Sequence, residues 1–134
     1  RDAAIAAYLQ VLKLTPDHAM ALNDLAWLLS ASDPQRAVGY AEKAVQLQPD
    51  HQTWDTLGIV LLELGENQRA AEMFDKALGE RPESPDIRYH LARALVGLSQ
   101  HERAHALIRE ILQTDAQFSE RNAATAMLRE LTNE

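Results

Sequence analysis

Three prolines, Pro16, Pro49 and Pro82, fall 33 residues apart in this chain, and each closes an apolar stretch of helical spacing. Twelve residues before each stands an alanine, Ala4, Ala37 and Ala70. A fourth, Ala104, follows 34 residues later, with Ala116 where the next proline would fall. A second series, Leu25-Ala26, Leu57-Gly58 and Leu91-Ala92, keeps step at spacings of 32 and then 34. Two independent series in register mean a structural repeat. A unit this short cannot bury its apolar face alone, so its copies must stack, and about three are the minimum for a stable array.

Ala, Leu, Glu, Gln and Arg dominate the 134 residues while aromatics make up only 5%. These residues lose little side-chain freedom in a helix, so the repeat unit is helical. The punctuation predicts helices over 2–14, 17–31, 34–47, 51–64, 67–80, 85–98, 101–114 and 119–132. Asp33-Pro34 and Ser84-Pro85 each put a capping side chain before a proline at the first helical position. Ser99 with Glu102 has the spacing of a capping box, and Gly65 suits a left-handed helix end. The turn between the helices of the first unit is one residue short. The first helix, with Ala4, Tyr8, Val11 and Leu12, reads as the second half of a repeat. The last carries Ala123, Ala124, Met127, Leu128 and Leu131 on one face and reads as a capping helix.

The middle unit carries a family resemblance. Trp54-x-x-Leu57-Gly58-x-x-Leu61, followed by Ala70-x-x-x-Phe74, Ala77 and Pro82, resembles the tetratricopeptide (TPR) motif, with Leu61 in place of its tyrosine. Gly58 and Ala70 would let two helices of a hairpin approach closely, and Ala77 would let the next hairpin stack on them. Pro82 ends its helix because it lacks an N–H and clashes with the preceding turn. The resemblance implies an all-α, right-handed TPR solenoid of antiparallel helix pairs, about three repeats plus a C-terminal capping helix. The expected organisation is one domain over 1–134. It divides into the second helix of a truncated repeat (1–16), repeats at 17–50, 51–84 and 85–118, and the capping helix at 119–134. Since the chain opens at Arg1, already in helical pattern, it reads as a piece of something longer.

Several functions are disfavoured on chemical grounds. A net charge of −7 and the lack of any Lys/Arg cluster oppose nucleic-acid binding, which needs a basic face. With no cysteine, disulfides, thiolate nucleophiles and Cys-based zinc sites are out. No run of 18 apolar residues is present to insert into a membrane. His101-Glu102-Arg103-Ala104-His105 matches H-E-x-x-H, the zinc-protease helix. That chemistry needs a third ligand and a cleft, which the sequence does not offer, and Ala104 is already explained as the repeat alanine. His101 and His105 are therefore expected to be solvated, and His18, His51 and His90 to lie at the surface or at helix caps. Serines 30, 32, 84, 99 and 119 sit where capping accounts for them. No catalytic residue, cofactor or metal is expected.

The resemblance implies a different kind of site. In the TPR family the first helix of each pair lines a concave face. The matching positions are Met20, Asn23, Trp27 and Ser30, then Gln52, Asp55, Ile59 and Leu62, then Asp86, Tyr89, His90 and Arg93. A face joining Trp27, Ile59, Leu62 and Tyr89 with Asp55 and Asp86 suits an apolar, somewhat basic peptide or helix. Packing between neighbouring first helices is the competing explanation for Trp27 and Ile59. The family's clamp for a C-terminal carboxylate is missing. Asn23 stands where its first lysine belongs, Trp27 replaces an asparagine, and Asp86 replaces a second lysine.

Leu25-Ala26-Trp27-Leu28-Leu29, Asp55-Thr56-Leu57-Gly58, Ile87-Arg88-Tyr89-His90-Leu91-Ala92 and Phe118-Ser119-Glu120-Arg121 are also similar to the C-terminal repeats of exosortase/PEP-CTERM-system TPR lipoproteins. That similarity implies a bacterial, envelope-facing (periplasmic) scaffold, with a cytoplasmic location as the alternative. The expected function is non-catalytic binding of a protein or peptide partner on the concave face. The alternative is an architectural role, capping a superhelix or self-associating. Truncation of the first repeat would uncover Ile5, Leu9 and Leu12 or their neighbours, so a homodimer through the N-terminal end is expected as a consequence of that truncation.

Overall fold

A computed structural model describes residues 1–114, 118 and 120–133. The described residues form eight α-helices and no strand. They are α1 (Asp2–Leu14), α2 (Ala19–Leu29), α3 (Pro34–Leu47), α4 (His51–Glu63), α5 (Asn67–Glu80), α6 (Pro85–Gly97), α7 (His101–Leu112) and α8 (Arg121–Thr132). Short connections force consecutive helices to run antiparallel. The hairpins α2–α3, α4–α5 and α6–α7 pack tightly, and α8 lies on α7. The first helices also touch in sequence, α2 on α4 and α4 on α6, which is the stacking that makes a solenoid.

The core is one continuous stack, built as the small residues require. Ala37, Ala70, Ala77 and Ala104 are fully buried between helices, beside Leu25, Leu61, Phe74, Leu95 and Ile108. Gly58 faces the Phe74 ring so closely that a Cβ there would stand 2.7 Å from Cζ and 2.8 Å from Cδ1. The glycine is what lets α4 and α5 approach. On α8, Ala124 is buried and Met127, Leu128 and Leu131 lean on the core, whereas Ala123 faces solvent. At α1, Ile5, Leu9 and Leu12 are half-buried against the core, and the exposed apolar residues are their neighbours Val11 and Leu14.

Helix ends follow chemistry that was only partly anticipated. Asp33 accepts from the Arg36 N–H and Ser84 from the Ile87 N–H, ahead of their prolines. The capping box belongs elsewhere than expected. Asp50 accepts from the N–H groups of Gln52 and Thr53 at 3.0 Å, while the Asp50 N–H donates to Thr53 Oγ1 at 3.1 Å. Ser99 is not an N-cap. It adopts φ 61° after α6, as Gly65 adopts φ 77° after α4. Both close the preceding helix alike: Glu66 N–H donates to Leu61 O at 2.9 Å and Gln100 N–H to Leu95 O at 2.8 Å. Gln100 takes the N-cap position of α7 without a side-chain cap hydrogen bond, its Oε1 accepting instead from Arg103 Nη1 at 3.1 Å. The short first unit lacks this device. Its α2 stops at Leu29, and Asp33 N–H donates to Leu29 O at 2.8 Å. Ala116 and Ser119, assigned above to the fourth proline position and a helix start, lie outside the described residues.

Candidate functional site

Equivalent turns of α2, α4 and α6 line two clefts that meet at Trp27 and Asp55. The first holds about 430 Å³ between α1, α2 and α4, lined by Tyr8, Met20, Asn23, Asp24, Trp27, Gln52 and Asp55 among others. The second holds about 320 Å³ and runs on over α4 and α6 past Trp27, Ser30, Asp55, Ile59, Asp86, His90, Arg93 and Glu120. Trp27 and Asp55 line both, so the clefts form one track along the first helices.

The repeat register explains how each residue is presented. Asn23, Asp55 and Tyr89 occupy equivalent repeat positions, of which Asn23 and Asp55 line the floor of the clefts, and Trp27, Ile59 and Arg93 lie one turn further along. Trp27 is 57% exposed, so packing between first helices does not account for it. Ile59 and Leu62, by contrast, are half-buried against the core. Tyr89 is 6% exposed and belongs to the core, so the expectation of an open tyrosine face is corrected. Its ring lies beside His90, with centroids 6.0 Å apart, and burial, together with the nearby charge of Glu120, raises its pKa against the lowering effect of Arg93. Arg93 itself reaches Glu63 at 3.7 Å.

Two polar contacts were not foreseen. His90, expected at the surface, is 7% exposed, packs on Phe74 and sits 2.8 Å from Asp55 Oδ1. This pair ties α6 to α4 across the groove floor. The signal was available, since His90 is the repeat equivalent of the buried Thr56, one residue after the floor position. On the other side, Tyr8 Oη donates to Asp24 Oδ2 at 3.1 Å, joining α1 to α2. That hydrogen bond and the Asp24 charge raise the tyrosine pKa and keep its proton in place. Asn23, 7% exposed, carries a buried Oδ1 with no hydrogen-bond partner.

The remaining histidines have local partners. His18 caps α2 by accepting from the Ala21 N–H at 3.1 Å, and His51 lies 3.2 Å from Glu80 Oε1. In the H-E-x-x-H segment, Ala104 is fully buried and His105 Nε2 lies 3.3 Å from Thr132 Oγ1. Among the described residues no group of three His, Cys, Asp or Glu is placed to hold a metal ion, and no helix is long and apolar enough to cross a membrane.

Stacked helix pairs presenting a cleft along their first helices define a helical-repeat scaffold. The chain matches the tetratricopeptide repeat family over residues 61–128 and again over 1–52, and it belongs to that family. No curated protein sequence matches it. Among solved structures it is similar to MamA from Desulfovibrio magneticus RS-1, with TM-score 0.76 and 18% identity over 98% of this chain and 84% of that one. It is also similar to YrrB, described as a TPR protein with an unusual peptide-binding site, with TM-score 0.74 and 23% identity over 93% and 64% of the two chains. The TPR domain of Arabidopsis OM64 matches with TM-score 0.71 and 17% identity over 87% and 98%. At these identities the likeness is one of fold.

Proposed function

We propose that this chain is a non-catalytic scaffold that holds a peptide segment of a partner protein along the track formed by α2, α4 and α6. The observation that carries the reading is Trp27, a large aromatic left more than half exposed where two clefts meet. Aromatic anchors bordered by shaped clefts dominate binding energy at protein interfaces. Peptide binding by YrrB, a protein of the same fold, supports the assignment. We assign the repeats to 17–50, 51–84 and 85–118, with 1–16 as a second-type repeat helix and 119–134 as the cap. Membership of an envelope sorting or exopolysaccharide assembly is the finer form of this proposal and rests on the sequence similarity to exosortase-system lipoproteins.

Panning a random peptide library displayed on phage tests the groove. Selected peptides should lose binding to Trp27→Glu and keep it to Gln46→Glu, a change at an exposed α3 residue that lines neither cleft. Equal binding to both variants, or no selection at all, overturns the proposal.

Self-association is a second reading, favoured by Leu14, 77% exposed at the end of α1, beside the exposed Val11. Light scattering should then show a dimer that Leu14→Glu converts to a monomer. A monomeric wild type removes this reading.

A further inference from the structure

The cleft between α1, α2 and α4 has a composition that specifies its occupant. Two carboxylates, Asp24 and Asp55, line it, and no lysine or arginine does. Each has one oxygen engaged, Asp24 Oδ2 by Tyr8 and Asp55 Oδ1 by His90, and the other oxygen of each retains lone pairs for a further donor. Asn23, more than nine-tenths buried in the same cleft, has a carbonyl oxygen with no donor. A buried acceptor left unmatched is costly, and because this oxygen is sealed from the cleft, the Asn23 amide must turn to meet a ligand's donor and so remove that cost. Trp27 contributes an exposed indole face at the mouth. The cleft is thus acceptor-rich, negatively charged and walled by an aromatic ring.

A flat cation with several N–H donors fits these requirements together. Guanidinium forms paired hydrogen bonds to carboxylates and stacks on indole faces, whereas ammonium offers a point charge without the planar stacking surface. At the rim Arg1 Nη2 already donates a single hydrogen bond, at 2.6 Å, to the backbone carbonyl of Leu28, a residue lining the cleft. We propose that this cleft is a subsite that reads an arginine side chain of the bound segment, with Asp24 and Asp55 as charge partners, Asn23 as an added acceptor and Trp27 as the stacking wall. The inference rests on the peptide-groove reading above and narrows it to a basic, arginine-bearing segment.

The test is an NMR titration of the isotopically labelled chain with N-acetyl-arginine amide, with N-acetyl-citrulline amide as its uncharged isostere. The arginine compound should shift the Asn23 side-chain amide and Trp27 indole resonances and bind about tenfold or more tightly than citrulline, the ratio set by charge-assisted hydrogen bonds. Asp24→Asn retains an acceptor for Tyr8 and, with an unchanged circular dichroism spectrum, should weaken arginine binding several-fold toward the citrulline level, Asp55 remaining as the second charge partner. Equal affinity for the two compounds, or shifts confined to other surfaces, overturns the subsite. Panned peptides that need Trp27 but contain no arginine, and that arginine amide does not displace, would also overturn it while leaving the groove intact. Failure to select any peptide would instead count against the groove itself.

Discussion

Gly39 and Gly58 lie in helix interiors and Gly79 in the last turn of α5, and a Cβ added at each meets one of two settings. Alanine is favoured over glycine in a helix interior by about 1 kcal/mol. At Gly39 and Gly79 a Cβ meets nothing within 4 Å. Gly39→Ala should therefore stabilise the chain by about 0.5–1 kcal/mol, and Gly79→Ala, in the last turn of α5, by less. At Gly58 the new methyl would overlap the Phe74 ring, which is fully buried and has no exposed space to swing into. Overpacking of that kind costs about 1–3 kcal/mol, which outweighs the propensity gain. Gly58→Ala should thus fall below Gly39→Ala by about 1–3 kcal/mol, read as separated urea midpoints with similar slopes in circular dichroism. Shortening the ring should couple to the glycine. Phe74→Leu should cost less in the Gly58→Ala background than in wild type, with an interaction energy of about 0.5 kcal/mol or more. If Gly58→Ala stabilises as much as Gly39→Ala, the close approach of α4 and α5 is not what the glycine provides.

Three further outcomes follow from helix ends and the groove. Asp50→Ala removes the side-chain half of the capping box and should cost about 0.5–2 kcal/mol in urea unfolding at neutral pH. Partial burial raises the Asp50 pKa, but hydrogen bonds from Gln48, Thr53 and Gln52 and the charge of His51 outweigh it and leave the carboxyl below its ordinary 3.8. The stability difference from Asp50→Ala should therefore be full above that ordinary value and shrink as pH falls through the lower folded one. Ser99→Gly should stabilise by up to about 1 kcal/mol, because it relieves a left-handed residue, whereas Gly65→Ala should destabilise by about 1 kcal/mol; thermal melts would show opposite shifts. Trp27→Ala should leave the unfolding midpoint within about 0.5 kcal/mol of wild type, as befits an exposed side chain outside the core.

The repeat series carried the fold because its members are steric requirements. An alanine or glycine between packed helices and a proline at a helix end leave few alternatives, and Ala37, Ala70, Ala104 and Gly58 occupy the sites expected of them. Helix ends were less legible where one residue type serves two purposes. Ser99 has the spacing of a capping box, yet it stands 34 residues after Gly65 and takes that glycine's left-handed role. The groove was legible as a set of positions but not as a set of exposures. Asn23, Asp55 and Tyr89 share one register, and whether that register faces a cleft or the core depends on side-chain size and on neighbours distant in sequence. Tyr89 is large enough to fill its space, and Glu120 beside it belongs to a segment about 30 residues downstream. The Asp55–His90 pair likewise joins residues 35 apart, a distance that only the stacking of α4 on α6 closes.

The most direct test of the groove places a photo-crosslinking amino acid at residue 27 and, in a second protein, at residue 46 on α3. Both are irradiated in extract of the source cells, with and without excess peptide selected on the wild-type chain. Discrete products from residue 27 that the peptide suppresses, with none from residue 46, are what a concave binding face predicts. Products from residue 46 alone, or products from residue 27 that the peptide leaves unchanged, would contradict it.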